Sequence, residues 1–80
     1  MYTFHIMNKK GAWETYRNIE KVCCALPESN EPESCIELIG DNIFNHKYKS
    51  CHDLYLYSKN EAYFISKRNI SIVKITKEGN

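Results

Sequence analysis

The sequence predicts a small all-β domain, a rolled sheet or partly open barrel of five to seven short strands. Three observations carry this. Residues 53–76 hold three runs rich in β-branched and aromatic residues, separated by polar breaks at Lys59-Asn60-Glu61 and Lys67-Arg68-Asn69, and such a pattern describes a C-terminal β-meander. Residues 2–8 alternate, with Tyr2, Phe4 and Ile6 on one parity and Thr3, His5 and Met7 on the other. Asn8-Lys9-Lys10-Gly11 then supplies a hairpin turn, with Gly11 free to take the positive φ that a tight turn demands.

The chain has 80 residues, enough for one domain spanning 1–80. A domain this short buries only about 60% of the surface its unfolded chain exposes, so its margin of stability is thin. Ten aromatic residues (six Tyr, three Phe, one Trp) and many Ile residues argue against disorder. The formal net charge is +1, which speaks against a dedicated nucleic-acid binder and leaves little repulsion to oppose a homo-oligomer. No apolar run approaches the roughly 20 residues that cross a bilayer, so no membrane partner is expected. The segment Met1 to Met7 lacks a basic region followed by a long apolar one and does not read as a signal peptide. The expected location is therefore the cytoplasm. Four cysteines, Cys23, Cys24, Cys35 and Cys51, are then expected to stay reduced and to pack as small hydrophobes.

Taken in order, a first strand over 2–8 turns at Gly11 into a second from about Ala12 to Tyr16. Residues 12–26 admit two readings. Trp13, Tyr16, Ile19, Cys23 and Leu26 recur at spacings of three and four, which suits one face of a helix ended by Pro27. An α+β fold with a helix at 12–25 is the alternative that follows. Against it stand weak helix formers and a turn that favours a returning strand. An internal echo also favours β. Arg17-Asn18-Ile19-x-x-Val22 returns as Arg68-Asn69-Ile70-x-x-Val73 inside the C-terminal strands. In both copies Asn is expected to make the turn and Ile to tuck beneath it, which makes 19–26 a strand. The parity break after Ile70 predicts a bulge or turn at 70–72.

Residues 27–34, with two prolines and three glutamates, read as a loop. Cys35-Ile-Glu-Leu-Ile-Gly40 reads as a short strand closed by glycine, with Gly40-Asp41-Asn42 reversing the chain. Residues 43–52 are irregular and suit an exposed strand or a long connection, and 77–80 suit a frayed tail. In the last third, Leu54 and Leu56 oppose Tyr55 and Tyr57, while Tyr63 and Ile65 oppose Ala62 and Phe64. Both faces of that ribbon are apolar or aromatic, so the second face calls for a cover: barrel closure or another copy.

No motif predicts an enzyme. Structural zinc sites show paired ligands such as C-x₂₋₄-C, and Cys23, Cys24, Cys35, His46, Cys51 and His52 lack that spacing; a small Cys/His metal-binding protein is the third functional reading. Cys51 has His5, His46 and His52 as possible bases only through folding. Glu28, Glu31 and Glu33 fall in the acidic loop, while Glu37, Asp41 and Asp53 show no spacing that implies convergence. The three glycines are isolated, so no phosphate loop exists and no cofactor is expected.

What remains is binding. Six Tyr and one Trp are residue types that anchor protein interfaces. The first functional reading is a non-enzymatic module for a protein partner. The second is nucleic-acid or nucleotide binding, since Lys47, Lys49, Lys59, Lys67, Arg68 and Lys74 interleave with Tyr48, Tyr55, Tyr57 and Tyr63 as bases and phosphates would require. The candidate binding residues common to both are Tyr48, Tyr55, Tyr57, Tyr63, Lys47, Lys49 and Arg68. The Lys/Asn/Ile/Tyr-rich composition resembles that of small proteins from AT-rich bacterial genomes and their phages, which suits an inhibitor of a host system acting in the host cytoplasm.

Overall fold

The β1–β2 hairpin opens the fold. Asn8 Oδ1 accepts from the backbone N–H groups of Lys10 (2.9 Å) and Ala12 (3.0 Å), and Gly11 sits at φ 88°. The turn joins β1 (Tyr2–Met7) to β2 (Trp13–Ile19). The computed structural model describes residues 1–25, 35–48 and 53–77. The expected loop at 27–34 lies outside them, as do Lys49, Cys51 and His52. Five more strands follow: β3 (Lys21–Ala25), β4 (Cys35–Ile39), β5 (Asp53–Tyr57), β6 (Ala62–Ile65) and β7 (Ile72–Lys77). One short helix, α1 (Asp41–Asn45), and a 3₁₀ turn at Lys67–Asn69 complete the elements among the described residues.

The strands form two antiparallel sheets, one of three strands in the order β2-β1-β7 and one of four in the order β4-β3-β5-β6. Neither closes into a barrel. The all-β expectation holds. Within it, β5 and β6 make the expected hairpin, while the third run of the C-terminal ribbon, β7, leaves for the other sheet and pairs with β1 from Tyr2↔Lys77 to Met7↔Ile72. Lys77 is therefore a paired strand residue, not part of a frayed tail.

Two strands, β2 and β3, replace the alternative helix at 12–25. The misleading spacing has a physical origin. The β1–β2 register slips by one residue between Phe4↔Tyr16 and Tyr2↔Ile19, and Asn18 in that slip takes φ 59°. The extra residue turns a period of two into a spacing of three, so Tyr16 and Ile19 both face inward. Glu20 then marks the passage to the second sheet, which adds another spacing of three before Val22. The expected tuck of the echoed Ile holds: Ile19 and Ile70 are both buried, each where the chain passes from one sheet to the other.

One core lies between the sheets. Tyr2, Phe4, Ile6 and Ile19 come from the three-stranded sheet, and Val22, Cys24, Leu38, Leu54, Leu56 and Ile65 from the four-stranded one. Ile43 from α1 and Ile70 from the link between the 3₁₀ turn and β7 plug the core. The helix α1 stands where the sequence predicts a turn at Gly40-Asp41-Asn42 and an irregular stretch from Ile43. Five residues are too few to show helical periodicity, and a helix that short stands only by tertiary packing. Here Ile43 is fully buried, Tyr2 Oη donates to Asp41 Oδ1 (2.9 Å), and the Phe44 ring stacks on Tyr2 at 6.2 Å.

Candidate functional site

The antiparallel register of the four-stranded sheet decides which side chains share its outer face. Tyr57 lies between Lys21 and Ala62; Tyr55 lies between Cys23 and Phe64. Across β3, Lys21 faces Ile39 and Cys23 faces Glu37. Two rows thus run over the sheet, Ile39–Lys21–Tyr57–Ala62 and Glu37–Cys23–Tyr55–Phe64. Phe64 is 57% exposed and Ile39 58%, values that make this a water-facing apolar patch rather than a second core. The Tyr55 and Phe64 rings lie 4.9 Å apart, tilted by 38°. The Lys21 ammonium sits 4.7 Å over the Tyr57 ring and 3.8 Å from Glu37 Oε2. Its stem covers apolar surface while its charge stays wet. Glu37 and Asp53 border the patch, and Asp53 Oδ1 is engaged by the Lys67 backbone N–H at 2.7 Å. An apolar centre with a charged rim is the anatomy of a protein interface.

The structure separates the residues nominated from sequence. Tyr55 and Tyr57 share this face. Tyr63 points to the other side of the sheet, where its ring meets Tyr16 at 4.9 Å. Tyr48 packs edge-on against Phe4 at 5.8 Å and donates its hydroxyl to the Ile43 carbonyl at 2.8 Å, which serves the core. Burial drives its phenol well above the ordinary range. Lys47 is exposed beside Tyr48, and Arg68 is exposed in the 3₁₀ turn; neither joins the Tyr55–Tyr57 face in the strand register. Lys49 lies outside the described residues. Missing from the nominated set were Lys21, Ile39 and Phe64. Alternation alone already set Phe64 opposite Tyr63; only the hairpin register put it beside Tyr55.

The cysteines disperse. Cys24 is fully buried on the inner face, its thiol pushed up to about 11 by burial and then by neighbouring Cys23. Cys23 is half-buried on the outer face, and its thiol is raised by burial and by nearby Cys35, which is itself exposed on the edge strand β4. Among the described residues no three His, Cys, Asp or Glu side chains converge on a point where a metal ion would sit. His46 packs against Tyr48 at 4.9 Å.

Two other surfaces are shaped. On the outer face of the three-stranded sheet, Trp13 (52% exposed) and Ile72 flank Met7. Beside them His5 meets Thr76 Oγ1 at 3.3 Å and Thr15 Oγ1 at 3.5 Å. Between the sheets, the β1–β2 hairpin and the β6–3₁₀ segment border a cleft of about 350 Å³. No described helix is long and apolar enough to cross a membrane. Neither a protein-family model, nor a curated protein, nor a solved structure matches the chain.

Proposed function

We propose that this chain is a non-enzymatic interaction module that binds a protein partner through the outer face of its four-stranded sheet. The Tyr55–Phe64 pair carries the reading. Two aromatic rings, an aliphatic residue (Ile39) and a Lys-capped tyrosine lie side by side on strands, where the backbone holds them rigid. Rigid aromatic anchors lose little conformational entropy on binding, which is why they dominate interface energies. In the isolated chain much of the apolar area of Ile39 and Phe64 stays in contact with water, and a partner would remove it. The size and composition suit an inhibitor carried by a phage or mobile element and directed at a host protein in the cytoplasm.

The test is affinity capture from the source cell with the wild-type chain, a Tyr55→Ser/Phe64→Ser variant and a Trp13→Ser variant, each first shown to be folded by its NMR spectrum. The expected result is one partner recovered by the wild type and by Trp13→Ser and lost with the double variant. Equal recovery by all three, or loss with Trp13→Ser alone, overturns the assignment of this face. Light scattering across a concentration series identifies the case in which the partner is a second copy. Strongly salt-dependent binding to single-stranded oligonucleotides, abolished by the same double variant, would transfer the face to the nucleic-acid reading.

A further inference from the structure

The cleft between the sheets has a composition that the interaction face does not explain. Ile6 and Ile65 form its floor, both almost wholly buried, and Phe64 stands at its mouth on the edge strand β6. Its volume of about 350 Å³ falls within the range of roughly 300–1,000 Å³ usual for small-molecule sites. The polar groups around it present donors. Asn8 Oδ1 is held by two backbone N–H groups, at 2.9 and 3.0 Å, which fixes the amide and leaves Nδ2 to donate. Ser66 Oγ accepts from the Arg68 backbone N–H at 3.3 Å and keeps its hydroxyl proton to give. Lys9 and Lys10 bring ammonium groups, which donate and never accept, and among the described residues neither is in an ion pair. The single carboxylate in the lining, Glu14, is tied by the Tyr16 hydroxyl at 2.5 Å. Two lysines against one bound glutamate leave the cleft positive.

We propose that this cleft binds a small organic anion, a carboxylate or a phosphate monoester carried on an apolar body. The apolar body rests on Ile6 and Ile65. The anionic oxygens take Lys9, Lys10 and the Asn8 amide, where charge-assisted bonds are stronger than neutral ones. The site is independent of the protein-binding face except at Phe64, so its test uses the lysines and the glutamate.

The experiment is an NMR titration of the intact chain with two anions and their neutral counterparts: N-acetylphenylalanine against its amide, and adenosine monophosphate against adenosine. At least one anion is expected to shift the amides of residues 8–11 and 66–69, to bind about tenfold or more tightly than its neutral partner, and to weaken as salt is raised. Which anion does so identifies the head group. Lys9→Gln/Lys10→Gln is expected to weaken binding about tenfold, and Glu14→Gln to strengthen it several-fold by removing the one opposing charge. All three positions are exposed, so the fold tolerates the changes. Opposite signs from the two substitutions do not arise from general loss of structure. Equal binding of neutral and charged probes, shifts confined to other residues, or no shift by any probe at millimolar concentration overturns the proposal.

Discussion

Asn18 and Asn69 occupy the same place in the repeated Arg-Asn-Ile motif but not in conformation. Asn18 adopts φ 59° where the β1–β2 register slips and the chain turns toward the second sheet. Asn69 closes a 3₁₀ turn, its N–H bonded to the Ser66 carbonyl at 2.9 Å, and it is not among the positive-φ residues. The left-handed region costs an ordinary L-residue about 1–2 kcal/mol, and a β-branched one fares worst. Asn18→Val is therefore expected to destabilise by about 2 kcal/mol. At about 4–8 °C per kcal/mol for a domain of this size, that is a fall in Tm of about 8–16 °C. Asn18→Gly removes the strain and adds about 0.5–1 kcal/mol of unfolded-chain entropy, so it should change little. Asn69→Val, exposed and in ordinary backbone geometry, should stay within about 0.5 kcal/mol. Urea and thermal unfolding followed by far-UV circular dichroism measure all three. Equal losses from the two Val substitutions, or a large loss from Asn18→Gly, would show that the Asn18 side chain and not its backbone conformation holds the corner.

Thr3 is 1% exposed and its Oγ1 has no hydrogen-bond partner among the described residues, so Thr3→Val should raise stability by about 1 kcal/mol in the same melts; a loss would mean the hydroxyl is satisfied. Alkali should weaken the fold. Burial and the Glu14 hydrogen bond push Tyr16 from 10.0 up to about 12, and burial with neighbouring Cys23 pushes Cys24 from 9.0 up to about 11. Each folded-state value lies above its unfolded one, so their contribution is complete below the unfolded values and is lost as pH rises through 11 and 12. A urea midpoint that stays level across that window contradicts the placement of both groups. Site-resolved alkylation should label exposed Cys35 first, half-buried Cys23 more slowly and Cys24 only through unfolding; similar rates at all three would refute the burial assigned to them.

Much of the fold was readable because strand formation leaves a local mark. Alternation at 2–8, Gly11 after Asn8-Lys9-Lys10, and the polar breaks at 59–61 and 67–69 each report on backbone geometry a few residues wide. The tuck of Ile19 and Ile70 was equally local. The helical spacing at 13–26 misled because a bulge and a change of sheet, each adding one residue, imitate a longer period. The α1 helix left no mark, since its existence depends on Ile43 reaching a core built by distant strands.

The candidate site depends on less local information. From sequence, Tyr48, Tyr55, Tyr57 and Tyr63 formed one group with Lys47, Lys49 and Arg68. The structure keeps Tyr55 and Tyr57 together, adds Phe64, Lys21 and Ile39, and turns Tyr63 and Tyr48 toward Tyr16 and Phe4. The Tyr57↔Ala62 register fixed by the hairpin turn decides that partition, and a slip of one residue would exchange Phe64 for Tyr63 on the outer face. The cleft is more remote still, since it joins a turn at residues 8–10 to a turn at 66–69 that share no sequence relation.

Residues 53–76 show where the division falls. By itself the sequence determined that they make three strands, where those strands break, and that both faces of the ribbon carry apolar or aromatic groups, because propensity, turn chemistry and alternation act within a strand. Tertiary structure alone decided that β7 leaves β6 to pair with β1, and that the Tyr55–Phe64 face lies open to water. Strand edges carry the same N–H and C=O groups everywhere, so the choice of neighbour rests on how two sheets close over one shared core.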